Sequence, residues 1–420
     1  MWSRRQLLAF GAALAAVPRR ARAGEAVDRK FLFVYASGGW DPTYVFAPGL
    51  DPATVDGDPE GRLAYAGDIP FVDSASRPSV ARFFERFGPA CAVINGMEVR
   101  SLTHERSRQL VLCGSREGDV DDWPTAIAAG RSELYLPHLV LTGPAFAGRN
   151  ASAVTRLGAN DQLSLLLSGE YVDRATPALS ALNSTRGEQA AAFARARAEA
   201  WAARLPSGRA ATWGAELLTT YDRVELCRSI ESEIAIGGSG GDQFIPVPDR
   251  VQAALRCFAG GYSRCAMVEH LGLYDRGWDS HSNNTTQGDN FELLFSDLAD
   301  ILDDLAATAG QGGGSLLDET TVVVLSEMGR TPRLNSSAGK DHWTYTSAML
   351  IGAGVRGGQV VGAFDDGLNG SPVNLATGGV DASGSIILPE HLGATLALLA
   401  GLDPEALAVA DPLLALVEGA

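Results

Sequence analysis

Short apolar runs alternate along this chain with longer stretches in which apolar residues recur at helical spacing. Lys30 to Ala36, KFLFVYA, shows no polar alternation, the pattern of a strand buried on both faces. Ala90 to Asn95, His138 to Thr142, Arg264 to Leu271, Thr321 to Leu325, Ser347 to Gly352 and Gln359 to Ala363 read as further strands. Between them, His104 to Leu112, Pro248 to Ala259, Phe291 to Thr308 and His391 to Leu399 read as helices. Phe291, Leu294, Leu298, Ile301, Leu302 and Leu305 would share one helical face. The alternation predicts an α/β fold, a mainly parallel sheet with helices on both faces. Residues 177–204 and 208–235 are rich in Ala, Glu, Arg and Leu and predict two long helices that break the rhythm. The block at about 177–260 is therefore expected to be a helical insertion or cap. Glycine-rich stretches at 237–241 and 310–314 read as breaks and flexible connections.

The amino terminus changes the picture of where this fold works. Ser3-Arg4-Arg5-Gln6-Leu7-Leu8 is a twin-arginine pattern, and Ala21-Arg22-Ala23 is an A-x-A cleavage site. The apolar run from Leu7 to Val17 is too short for a span, which needs about 20 residues. Residues 1–23 are expected to be a signal peptide read by the twin-arginine export machinery. Residues 24–420 would form one exported domain, periplasmic or secreted, without a stable membrane span.

Charge narrows the partners. The chain carries 34 basic and 50 acidic residues, net −16. Removing the leader's five arginines leaves 29 − 50 = −21. That balance opposes nucleic-acid binding and attraction to anionic membrane surfaces. Five cysteines, none in a C-x-x-C pair, argue against a thiolate zinc site and leave at least one thiol unpaired.

The chemistry gathers just past the strand ends, where open α/β sheets bind ligands. The segment SEMGRTPRLNSSAGKDHW follows the 321–325 run and holds Glu327, Arg330, Asp341 and His342. Oxygen and nitrogen donors with an arginine form a set suited to a divalent cation and an anion. Asp41 follows Ser37-Gly38-Gly39-Trp40 after the first strand; it is either a metal carboxylate or a turn-forming Asp before proline. Asp279 and His281 in WDSHSNN could hold one cation together, or belong to a capped polar loop, with Asp275 as a competing carboxylate. Thr103 before the 104–112 helix is either a plain N-cap or a hydroxyl nucleophile at a helix amino terminus. His104 beside it would be a ligand or proton donor. His138, His270 and His391 stand apart from other donors and read as structural. No serine-hydrolase elbow with its triad and no phosphate loop is present.

Together, GGWD, NGMEVRSLTHERSRQ, GWDSHSNN, VVVLSEMGRTPRLNSSAGKDHW, IGAGVRGGQVVGAFD and the leader resemble the bacterial family known as domain of unknown function 1501. The family is similar to a branch of the alkaline-phosphatase and sulfatase superfamily, whose members hydrolyse phosphate or sulfate esters at divalent metals. The resemblance implies Asp41 as the first-strand metal carboxylate, Thr103 near the nucleophile, Asp279 and His281 as a ligand pair and His342 as the late histidine. Glu327-Met328 stands where many members have Asp-His, and a thioether is a poor ligand for a hard cation.

These residues predict a metal-dependent hydrolase of a small or polymer-borne anionic ester. It would use one or two divalent ions (Zn, Mn or Ca). The metal ligands would come from Asp41, Asp279, His281, Glu327, Asp341 and His342, and the catalytic groups would be Thr103, His104 and Arg330. A second class fits the same residues: a secreted non-catalytic protein that keeps the fold for binding or envelope assembly. Met328 favours that second class, and the donors retained after the strands favour the enzyme.

Overall fold

A computed structural model describes residues 28–117, 120–131, 133–158, 163, 184–236, 245–273 and 277–420. The leader and Asp275 lie outside the described residues. Strands β1 (Lys30–Ala36), β4 (Cys91–Glu98), β5 (His138–Val140), β6 (Val154–Arg156), β7 (Cys265–His270), β8 (Thr320–Ser326), β11 (Tyr345–Gly352) and β12 (Gln359–Val361) form one sheet. Its order is β12-β4-β11-β8-β1-β7-β5-β6. Every neighbouring pair is parallel except those of β11, which runs antiparallel to both β8 and β4. The α/β fold expected from the pattern is thus the fold observed, with one reversed strand.

The central strands are buried along their whole length: β1 and β8 expose none of their residues. Their alternate side chains feed two separate cores. Leu32, Val34, Val322 and Val324 pack on one face with Phe291, Leu294, Leu298 and Leu302 of the helix Thr286–Ala307. Phe31, Phe33, Val323 and Leu325 pack on the other with Leu392 and Leu396 of the helix Pro389–Leu399. A strand with two apolar faces cannot alternate in sequence, which is why these runs read as continuous.

Boundaries shift modestly from the pattern. The helix expected at 291–308 spans Thr286–Ala307, and the strand expected at 347–352 starts at Tyr345. The two long helices are Ser184–Ala202 and Arg209–Ser229. Residues 177–183 of that expectation lie outside the described residues. The 310–314 segment is not a loose connection: Glu319 accepts the Gly312 N–H, and Gly310 N–H bonds the Gly314 carbonyl at 2.9 Å. Additions to the expected elements are the amphipathic helix Pro78–Phe87, the Asp122-capped helix Trp123–Ala129, a hairpin of β2 (Arg62–Ala66) and β3 (Ile69–Asp73), and the short antiparallel pair β9 (Gly329–Arg330) and β10 (His342–Trp343). All five cysteines are buried free thiols. Burial raises each thiol's pKa above its ordinary value. No described helix is long and apolar enough to cross a membrane.

Parallel strands share one carboxyl edge. β1, β4, β7 and β8 all end there, and the reversed strand β11 begins there. Segments 37–41, 99–104, 277–281, 327–330 and 340–343, far apart in the chain, therefore meet at a single rim.

Candidate metal centre

The turn after β1 is set by two glycines in left-handed backbone. Gly38 has φ +124, and an added Cβ would lie 2.7 Å from the Trp278 and Asp279 amide nitrogens. Gly39 has φ +83, and its Cβ would meet Met328 Cγ at 2.7 Å. Only glycine permits this approach, which presses the β1 turn against the Asp279 segment. Met328 is fully buried here as a packing residue. Below the rim, Trp278 packs edge to face against both Trp40 and Phe291, with centroids 4.8 Å apart for Trp278 and Phe291, while Trp40 and Phe291 stack with centroids 5.9 Å apart. Trp278 Nε1–H donates to the His270 carbonyl at 3.0 Å, so this apolar floor leaves no indole donor unpaired.

Three imidazoles converge on one carboxylate above that floor. His104 Nε2 lies 3.4 Å, His281 Nε2 3.3 Å and His342 Nε2 3.4 Å from Asp279 oxygens. In each ring the other nitrogen faces an oxygen: His104 Nδ1 faces Glu327 at 3.0 Å, His281 Nδ1 faces Asp341 at 3.0 Å, and His342 Nδ1 faces the Leu102 carbonyl at 2.6 Å. A carbonyl only accepts, so His342 Nδ1 carries a proton and its Nε2 faces the cluster. His104 Nε2 is buried with no hydrogen-bond partner. His281 and His342 bring Nε2 atoms within 2.9 Å of each other.

This donor set fits a cation. One ligand atom each from His104, Asp279 and His342 lies within 4.8 Å of the others. Ligands at about 2.0–2.1 Å in a tetrahedron stand about 3.3–3.4 Å apart, the separation found between the imidazole nitrogens and Asp279. Imidazole-rich ligation suits zinc and its neighbours better than calcium. Oxygen acceptors behind each imidazole are the supporting layer such sites use to hold ring orientation.

Without a cation, protons fill the same role. The Asp279 and Glu327 carboxylates on either side of the ring outweigh burial and raise His104 to about 9. Burial opposes the Asp279 charge, but the neighbouring His104, His342 and Arg330 side chains hold its carboxyl far below the ordinary range. Glu327 is more deeply buried, and His104, its own backbone and Tyr35 still keep it below its ordinary value.

The expected site residues divide. Asp279, His281, His342 and His104 meet in the cluster. Glu327 stands behind His104, and it also accepts the Gly38 N–H at 2.9 Å. Asp341 is exposed and braces His281 from outside, with Asn335 bonded to the same oxygen. Arg330 is fully buried, donating to the carbonyls of Gly38, Gly39, Trp278 and Lys340 and to Asp279 at 2.7 Å. It ties the β1 turn to Asp279 and offers no open face to an anion. Asp41 is outside the cluster, fully buried and ion-paired with Lys340 Nζ at 2.8 Å. Thr43 and Asn284 complete the Asp41 carboxylate's hydrogen bonds. Sequence reasoning passed over Lys340, although it sits beside Asp341 in KDHW, and a lysine in a polar loop gives no sign that it will be buried. Thr103 is exposed at the start of the helix His104–Cys113, and its side chain makes no capping bond. His138, His270 and His391 are buried, away from the cluster.

Fold and rim together define an α/β protein with a His/Asp cluster that could hold a cation at the carboxyl edge of a mainly parallel sheet. Residues 252–411 match the family described as "Protein of unknown function (DUF1501)". The motifs GWDSHSNN and SEMGRTPRLNSSAGKDHW both fall inside that range. No curated protein matches the chain. Among solved structures, the lipoteichoic acid synthase of Listeria monocytogenes is 7% identical; the alignment covers 93% of this chain and 77% of that one, with TM-score 0.40. A protein of the alkaline phosphatase superfamily from Vibrio parahaemolyticus is 9% identical, covering 97% and 78%, with TM-score 0.37. A protein of glycosaminoglycan metabolism from Bacteroides thetaiotaomicron is 10% identical, covering 90% and 74%, with TM-score 0.40.

Proposed function

We propose that this protein is an exported hydrolase of phosphate or sulfate esters that works with a single zinc-class cation. The observation that carries this reading is the convergence of three Nε2 atoms on Asp279, each ring braced from behind by an oxygen. His104, Asp279 and His342 would hold the cation. When bound there, it supplies Lewis-acid polarisation of an ester oxygen. A second cation at Asp41 does not fit, because the Lys340 ammonium already neutralises that carboxylate at 2.8 Å. Thr103, uncapped and exposed at a helix amino terminus, is the nucleophile in this reading: its oxygen bonds the ester's phosphorus or sulfur as the bond to the leaving oxygen breaks, and its own proton passes to solvent. His281 is the most exposed of the three imidazoles and hands a proton to the leaving group.

The test loads purified protein with zinc and follows aryl phosphate and aryl sulfate turnover. One zinc per chain is expected, with Thr103→Ala losing turnover by several orders of magnitude while zinc stays bound. A zinc-loaded protein inert on a broad panel of both esters refutes the hydrolase and leaves the binding or envelope-assembly role. Failure to bind zinc, manganese or calcium removes the metal centre itself.

A further inference from the structure

The helices Ser184–Ala202 and Arg209–Ser229 form an antiparallel hairpin with no counterpart in the strand–helix alternation. They approach closely at Gly214, where an added Cβ would lie 2.9 Å from Leu205 Cδ1 and 3.1 Å from Ala202 Cβ. Their outer surface carries three exposed aromatic rings. Trp40, Trp123 and Trp278 are at most 1% exposed, whereas Trp201 is 47%, Trp213 55% and Phe193 65% exposed. The exposed residues are patterned: Phe193, Arg197 and Trp201 recur every fourth residue on the first helix, and Arg209 and Trp213 do so on the second. Arg197 stacks over Phe193 at 5.8 Å and Arg209 over Trp213 at 5.3 Å.

Charge is reversed at the same place. Residues 200–215 contain Arg204 and Arg209 and no Asp or Glu, net +2 in a chain of net −16. Two tryptophans and two arginines thus bracket the hairpin turn in a nearly palindromic segment, WAARLPSGRAATW. Indole rings partition to the boundary between headgroups and acyl chains, and arginine keeps its charge at the phosphates while its stem lies among apolar groups. An acidic body repelled by an anionic surface would be turned tip-first toward it. The tip is about one turn of each helix, short of the roughly 800 Å² per partner that a stable protein interface buries.

We propose that the 200–215 hairpin tip docks this protein on an anionic lipid bilayer, through Trp201, Trp213, Arg204 and Arg209. The docking is independent of the hydrolase reading. The experiment is co-sedimentation of the purified protein with phosphatidylglycerol/phosphatidylcholine vesicles, with pure phosphatidylcholine vesicles alongside. Binding is expected only to the anionic vesicles, weakening on going from 0.05 to about 0.5 M salt as surface charge is screened. Trp201→Ser with Trp213→Ser, and separately Arg204→Glu with Arg209→Glu, should each lower partitioning at least tenfold without moving the melting temperature. Wild-type protein that ignores anionic vesicles overturns the proposal, as does undiminished binding by both double variants. Capture only by a soluble polyanion such as heparin, or a concentration-dependent dimer lost in the variants without vesicle binding, assigns the tip to another partner and overturns it equally.

Discussion

Two carboxylates at the same rim, Asp41 and Asp279, follow parallel strands that lie side by side, yet they have opposite fates. Asp41 is sealed: no part of it is exposed, and Lys340, Thr43 and Asn284 occupy its oxygens. Asp279 is partly exposed, and three imidazoles face it across gaps of 3.3–3.4 Å. One is ion-paired with a lysine tethered to the chain; the other faces imidazoles, groups that could bind a metal instead. The contrast shows that carboxylates in equivalent post-strand positions need not be equivalent ligands. What separates them is whether the protein supplies the positive charge itself.

The largest effect should come from breaking the sealed side. Lys340→Met leaves a buried carboxylate without its partner and should cost about 3–5 kcal/mol in chemical denaturation, with zinc stoichiometry unchanged in whatever remains folded. Adding Asp41→Asn should recover most of the loss; a single-variant cost under about 1 kcal/mol would mean the pair is not sealed. On the open side, zinc at a hundredfold excess over its dissociation constant should stabilise the wild type by about 2.7 kcal/mol. His342→Ala should abolish that shift in melting temperature and leave the metal-free protein nearly as stable as before. An unchanged zinc response would exclude His342 as a ligand.

The proton–metal exchange gives a smaller, pH-resolved signature. His104 is raised from 6.5 to about 9 in the folded protein. Its contribution to metal-free stability is therefore fully present below about pH 6.5 and is lost as pH rises through about 9, with a slope of at most about 1.4 kcal/mol per pH unit. Zinc binding at neutral pH should release this proton, read as a dependence of the calorimetric heat on buffer ionisation enthalpy; His104→Gln should remove it. The smallest effect is at Thr103. Because its hydroxyl makes no capping bond, Thr103→Ala should change stability by less than about 0.5 kcal/mol. A loss near 1 kcal/mol would return Thr103 to the role of a helix cap.

Much of this was written in the chain. Continuous apolar runs at 30–36 and 321–325 determined strands buried on both faces, and their alternation with helical periods determined the α/β class. Gly38-Gly39 and the donors clustered after the strands pointed to one edge, since parallel strands deliver their loops to a common side. Chemical identity also announced the three imidazoles of the cluster. The hairpin β2–β3 was illegible because its strands are short and half exposed, with weak alternation.

Partnership was decided only by the tertiary structure. Sequence placed Asp41, Glu327, Arg330 and Asp341 near the rim but could not say which would face the centre and which would support it. Arg330 and Lys340 are both cations in one loop, and burial alone turns the first into a tie between the β1 turn and Asp279 and the second into the counter-ion of Asp41. Such assignments depend on distances of a few ångströms between residues up to 300 positions apart, where a carboxylate's role follows from the charge that reaches it first.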